Sequence, residues 1–191
     1  MMTDEERNRM ALRFGLIIGG VYIIVNTVLY IFGIAYFFGM MFQILVPLFI
    51  LGYLIYASIN LRKMNGGYIK FKQLLGSLLV VNLVTIIFSI VYKVVLYNII
   101  DTNLATIEKE TTLRTLGQAI DSSSGDLKDF YTKMFADAQA NDYHMNFHRI
   151  FTELPFLLSF AVIISLILAA IFKKKNKNMQ AINPDDFPSA N

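Results

Sequence analysis

The chain contains no cysteine. That excludes disulfides, thiolate zinc sites, iron–sulfur ligation and a cysteine nucleophile, and it leaves the redox compartment open. Charge is missing over a long stretch: Phe14 to Leu61 is a run of 48 residues without a charged side chain, which no ordinary soluble domain carries. As one helix it would extend about 72 Å at 1.5 Å per residue, more than twice the thickness of a hydrocarbon core, so it must fold back as two spans. Also missing are a glycine-rich phosphate loop, a Gly-x-Ser-x-Gly elbow, a His-Glu-x-x-His pair and any recognisable Ser–His–Asp set. Nothing in the sequence therefore argues for an enzyme or for a cofactor. The net charge of +3 sits beside the apolar runs and not in a stripe on a folded domain, which argues against nucleic acid as a partner.

What is present is apolar: 55% of the 191 residues are hydrophobic. Two further uncharged runs, Gln73–Tyr92 and Leu154–Phe172, each match the roughly 20 residues that one crossing needs. The expected fold is an all-α, integral membrane four-helix bundle. Residues 1–13 read as an N-terminal segment leading into an uncleaved signal anchor. Spans one to three occupy 14–100 with a turn at 62–72, span four occupies 151–172, and 173–191 form a basic tail. The stretch from Asn178, with Pro184 and Pro188, reads as disordered.

Arg7, Arg9, Arg13, Arg62, Lys63, Lys70, Lys72, Lys173, Lys174, Lys175 and Lys177 all fall in segments that share one side of such a bundle. The loop 101–150 holds five basic residues against eight acidic ones. The positive-inside rule then places both termini in the cytoplasm and the loop outside. Within that loop Leu127, Phe130, Tyr131, Met134 and Ala138 recur at helical spacing, and Leu104, Ile107, Leu113, Leu116 and Ile120 do so less regularly, as a second helix or a continuation of span three. The expectation is a helical insertion between spans three and four. Ser123-Ser124-Gly125-Asp126 resembles a capping box at its second helix.

Several residues stand out against this background. Lys93 and Glu153 fall at the same membrane boundary and are candidates for an ion pair between spans three and four. Asn26 and Asn82 lie near the middles of their spans, where each needs a hydrogen bond within the bundle; an interhelical contact is expected, and a polar permeation path is the alternative. Gly15 and Gly19 form a Gly-x-x-x-Gly pair, and Ala161, Ser165 and Ala169 repeat every four residues, so Gly19 is expected to face Ser165 or Ala169. Gly39 is the expected bend of the first hairpin, and Pro47 lies in the first turn or two of span two. His144 and His148 stand four apart near Asp142, a spacing that would put two imidazoles on one helix face for a metal; surface histidines are the preferred reading. Tyr36, Phe37, Phe38, Tyr68, Phe71, Tyr92, Tyr97 and Phe172 read as interface aromatics, and Tyr68, Ile69 and Phe71 as a segment entering the headgroups between Lys70 and Lys72.

The turn Asn65-Gly66-Gly67-Tyr68-Ile69-Lys70-Phe71-Lys72, the span end Tyr97-Asn98-Ile99-Ile100-Asp101 and the Lys173-Lys174-Lys175 stop together resemble a four-span bacterial family, domain of unknown function 4199, typical of Bacteroidota. The resemblance implies an inner-membrane protein and brings no activity. The expected role is a non-catalytic accessory or scaffold subunit bound to another membrane or envelope protein; the alternative is a small oligomeric transporter or channel using Asn26 and Asn82. Partners are the bilayer and either another membrane protein or further copies of the chain.

The absence of cysteine makes the orientation easy to test. A Ser124→Cys variant should react with a membrane-impermeant maleimide in intact cells, and a Lys175→Cys variant only after lysis. The reverse pattern would invert the topology.

Overall fold

The computed structural model describes residues 2–33, 37–38 and 40–174. Tyr36, Gly39, Lys175, Lys177 and the tail beyond them lie outside the described residues. Among the described residues six α-helices run in the order α1 (Asp4–Phe32), α2 (Met40–Met64), α3 (Phe71–Val95), α4 (Leu104–Asp121), α5 (Asp126–Ala140) and α6 (Phe147–Phe172). Four segments (Asp4–Phe32, Ile44–Met64, Phe71–Ile100 and Phe147–Phe172) are long and apolar enough to cross a membrane, which makes the chain a multi-pass membrane protein. The described residues contain no strand; the bundle is all-helical with a helical insertion between its third and fourth spans.

Local chemistry sets the helix ends. Thr3 Oγ1 accepts from Glu6 N at 3.2 Å while Thr3 N donates to Glu6 Oε2 at 2.8 Å, a capping box that starts α1 ten residues before Phe14. The charged N-terminal segment is thus helical and continuous with span one. α1 stops at Gly33, whose φ of 128° an L side chain rarely adopts. α2 ends in a Schellman arrangement: Gly67 N donates to Arg62 O at 3.0 Å and Gly66 N to Lys63 O at 3.1 Å, with φ of 83° and 80° at the two glycines. Span three does not stop at Lys93. It continues through one π-helical turn, Leu96–Ile100, and α4 is a separate helix after it. α5 begins at Gly125 with φ 58° and no side-chain cap, so the Ser123–Asp126 capping box does not form.

Span three is the centre of the bundle. It runs parallel to α1, with Gly15 beside Val84 and Gly19 beside Phe88. It runs antiparallel to α6, with Asn82 opposite Ser165 and Lys93 opposite Glu153. The glycine pair and the Ala161/Ser165/Ala169 stripe therefore pack against two different faces of span three and not against each other. A Cβ on Gly15 would lie 2.8 Å from Val84 Cβ, and one on Gly19 would lie 2.7 Å from Phe88 Cγ. Only glycine allows this approach, and close backbone packing is what holds helices together where lipid is as apolar as the side chains. Opposite, Ser165 and Ala169 are fully buried.

α2 joins the others mainly at one end, here named the terminal end because Thr3 and Lys174 lie there. Its Leu54 and Leu61 are buried with Ile18, Leu74, Leu78 and Leu168. Ile69 belongs to this core as well; it is 1% exposed and does not enter headgroups. At the opposite, hairpin end Tyr92 and Tyr97 are buried inside the protein and are not part of an aromatic belt.

In α5, Tyr131, Phe135 and Ala138 turn inward and pack the hairpin, whereas Leu127, Phe130 and Met134 are exposed. The helical face read from sequence is thus split. Phe135, which that reading left out, belongs to the inward half.

Gly15→Ala and Gly19→Ala should each lower the thermal stability of the detergent-solubilised protein by an amount typical of overpacking, about 1–3 kcal/mol. Gly20→Ala, where nothing lies within 4 Å of the new Cβ, should not. Equal effects at all three positions would contradict the packing described.

Candidate functional site

Four charges connect three elements at the hairpin end. Lys93 Nζ on span three meets Glu153 Oε2 on α6 at 2.9 Å. Arg149, one turn earlier on α6, donates from Nε to Glu153 Oε1 at 2.7 Å and from Nη2 to Glu108 Oε1 of α4 at 2.9 Å. Its Nη1 donates to Tyr143 O, and its guanidinium lies over the rings of Tyr97 and Tyr143, 5.6 Å from each centroid. Tyr97 Oη donates to Glu108 Oε2 at 2.8 Å, which completes the ring of contacts. The Arg149 side chain is 13% exposed. A guanidinium suits this position because its planar fork of donors serves two carboxylates and a carbonyl at once, which an ammonium cannot do. Two positive and two negative groups balance, so the cluster can sit at a membrane boundary without a net charge to solvate.

The expected Lys93–Glu153 pair is therefore present but forms one part of a larger relay. Arg149 and Glu153 are spaced i, i+4 on one helix, and that pairing was readable in the sequence. Glu108 was not, because only the folded hairpin brings it 41 positions back to Arg149. Two more bonds fix the hairpin base: Asn98 Nδ2 to Met145 O at 3.0 Å and Lys109 Nζ to Asn141 O at 3.3 Å.

Beside the relay lies a partly open chamber of about 690 Å³, lined by all four spans. Its walls are mostly apolar, with one polar row on span three: Asn82, Thr85, Ser89 and Lys93, spaced 3, 4 and 4 apart and so on one helical face. Asn82 Nδ2 donates to Ser165 Oγ at 3.0 Å, an interhelical bond as expected. Asn26 behaves differently. Its Nδ2 donates to Tyr22 O of its own helix at 2.8 Å, and the register of Gly15 to Val84 and Gly19 to Phe88 puts it level with the end of α3, not at mid-membrane. Thr85 and Ser89 donate to carbonyls of their own helix, Val81 O at 2.9 Å and Ile86 O at 3.1 Å. Sequence reading singled out Asn82 and Lys93 separately; the helical spacing linking them through Thr85 and Ser89 was the missed signal. Pro47 lines the chamber from the second or third turn of α2, and α6 carries Pro155 beside the lining residue Phe156. Each proline removes one helical hydrogen bond at the level where the helices stand apart.

The Asn65–Tyr68 turn has a different task. Asn65 is buried; its Oδ1 accepts from Met2 N at 3.1 Å and its Nδ2 donates to Tyr68 O. Ile69 and Lys174 exchange two backbone bonds of 3.1 and 3.0 Å. Lys174 lies over the Tyr68 ring and Lys173 over the Phe71 ring, both at 5.8 Å. The turn and the lysine stop thus close the terminal end against each other. Arg7 is buried in the same region against Asp4 at 2.7 Å, and its Nε and Nη1 have no partner among the described residues.

His144 and His148 do not share a helix. His144 precedes the cap residue Asn146, and its Nδ1 lies 2.7 Å from Asp142 Oδ1. The Asp142 carboxyl is held below its ordinary range, first by the His144 backbone N–H and then by the His144 ring. His148 is in the first turn of α6, so the one-face geometry required for a metal pair does not arise. Among the described residues no group of three His, Cys, Asp or Glu side chains converges on a metal position.

Removing Arg149 would leave Glu108 without a cationic partner and Glu153 with Lys93 alone. Arg149→Met should destabilise the protein by about 3 kcal/mol, and adding Glu108→Gln should restore part of that loss. Thermal unfolding in detergent checks this; strictly additive losses would mean that the two residues are not coupled.

No curated protein and no solved structure matches the chain. One family model does, over residues 13–174, which takes in the four spans, the relay, the Asn65–Tyr68 turn and the Ile69–Lys174 bridge. By that match the chain belongs to the family described as protein of unknown function DUF4199.

Proposed function

We propose that this protein is a non-catalytic subunit of a bacterial inner membrane, with cytoplasmic termini, whose external hairpin α4–α5 docks another membrane or envelope protein. One observation carries the reading: the hairpin is fixed at its base by the relay, yet it presents Leu127, Phe130 and Met134 at 53%, 57% and 41% exposure. These positions, i, i+3 and i+7, make one apolar stripe. An exposed stripe on a firmly mounted helix suits recognition, because little conformational entropy is lost when a partner covers it. The hairpin carries acids and bases interspersed, so an anionic membrane surface has little to attract it, and a protein partner is the better match. The distribution of basic residues supports the orientation.

A second reading, solute passage through the bundle, is favoured by the chamber that Asn26 and Asn82 line. The terminal-end half is closed by Leu54, Leu61, Leu78 and Leu168, so passage needs a second conformation.

Affinity purification from native membranes in a mild detergent, with quantitative mass spectrometry, tests the docking role. A stoichiometric partner should accompany the protein, and a Phe130→Asp/Met134→Asp double variant should lose it at least tenfold without loss of thermal stability, since both side chains are exposed. Recovery of the protein alone as a discrete homo-oligomer, or a partner indifferent to the double variant, would overturn it.

A further inference from the structure

The geometry points to the chamber as a binding site for one single-chain anionic lipid from the leaflet on the hairpin side. At about 690 Å³ it lies within the roughly 300–1,000 Å³ range of small-molecule sites, and like them it sets a few polar groups in apolar walls. Four of the polar lining residues, Tyr22, Asn26, Ser89 and Lys93, gather at its hairpin end. By the same register that aligns Gly19 with Phe88, Tyr22 and Asn26 on α1 stand level with Val91 and Val95 on span three, within two residues of Ser89 and Lys93 along the helix. Among the described residues Tyr22 Oη, Asn26 Oδ1 and, deeper, Asn82 Oδ1 have no hydrogen-bond partner. A plain alkyl chain filling the chamber would leave these groups unsatisfied, so an occupant that carries hydroxyl-type hydrogen-bond donors fits it better.

Charge selects the rest of the headgroup. Among the described residues Lys93 is the one charged side chain lining the chamber. One of its three N–H bonds goes to Glu153, which Arg149 also holds through its other oxygen. Lys93 can therefore turn to an incoming phosphate without orphaning Glu153. Such a headgroup places its phosphate at Lys93 and its hydroxyls at Asn26 and Tyr22.

The tail also has a place. Tyr22, Leu29, Val46 and Ile50 line both the chamber and a second, almost wholly apolar crevice of about 250 Å³ between α1 and α2. A dry cavity of about 150 Å³ accepts one benzene ring, so this crevice accommodates one aliphatic chain rather than two. On α1 it runs from Leu29 down to Ile18, about 16 Å along the helix, close to half of a hydrocarbon core of roughly 30 Å. A lipid with its headgroup at the hairpin end and its chain pointing toward the terminal end fits both lengths.

The test uses delipidated full-length protein in maltoside, with lysophosphatidylglycerol and lysophosphatidylcholine of equal chain length as probes, read by native mass spectrometry. One copy of the anionic probe should bind with at least tenfold preference. Lys93→Gln should abolish the preference while keeping chain binding. Val46→Trp, which fills the junction of the two spaces without touching the relay, should weaken both probes at least tenfold and covers the case in which Lys93→Gln does not fold. Several copies of both probes without headgroup preference, or binding unaffected by Val46→Trp, would overturn the assignment.

Discussion

The contacts of Arg149 hold the hairpin end of this protein together. A single guanidinium, nearly buried, binds a carboxylate on its own helix, a carboxylate on the hairpin and a loop carbonyl, and it stacks between two tyrosines. Through Glu153 the same contacts reach Lys93 on span three. Spans three and four and the hairpin are thereby fixed relative to one another by groups that would each be costly to bury alone. The position of the hairpin, the shape of the chamber at its hairpin end and the freedom of Lys93 all follow from this arrangement.

Span three is the other organising element, because it is packed on two sides by different means. Gly15 and Gly19 let α1 approach Val84 and Phe88 to the limit that backbone allows, while Ser165 and Ala169 do the same for α6 on another face. Each contact sets small residues of one helix against span three, which is what helix association in lipid favours. Among the described residues α2 is anchored by Leu54 and Leu61 toward the terminal end. In its other half the space between it and the remaining spans is where the chamber and the crevice lie. A membrane bundle that packs tightly at one end and stands open at the other is suited to holding a lipid-like molecule.

Much of the fold was legible in the residues. Charge-free runs give the four spans, and helical spacing gives the two helices of the insertion, because burial in lipid and amphipathic packing each write a period into the chain. Pairwise placement was less legible. Small-residue stripes state that a helix can be approached closely but not by which neighbour, so Gly19 was assigned to α6 when it meets α3. The apolar set on α5 was read as one face although Phe135, not Met134, turns inward. Lys93 and Glu153 were matched by depth alone, which sufficed because few charges compete at that level. Glu108 and Arg149 were not, since their meeting depends on how the hairpin folds back. The Asn65–Tyr68 turn and the lysine stop were each recognised for their type, but nothing in either predicts the two backbone bonds between Ile69 and Lys174.

The central claim is that the relay holds the hairpin rigidly on the bundle. The most direct measurement is the distance distribution between spin labels at Ser124→Cys, near the hairpin tip, and at Ile31→Cys, an exposed site near the end of α1. The account predicts a single narrow distribution in nanodiscs that broadens markedly when Arg149 is replaced by Met. A broad distribution in the otherwise native protein, or a narrow one that persists without Arg149, would contradict it.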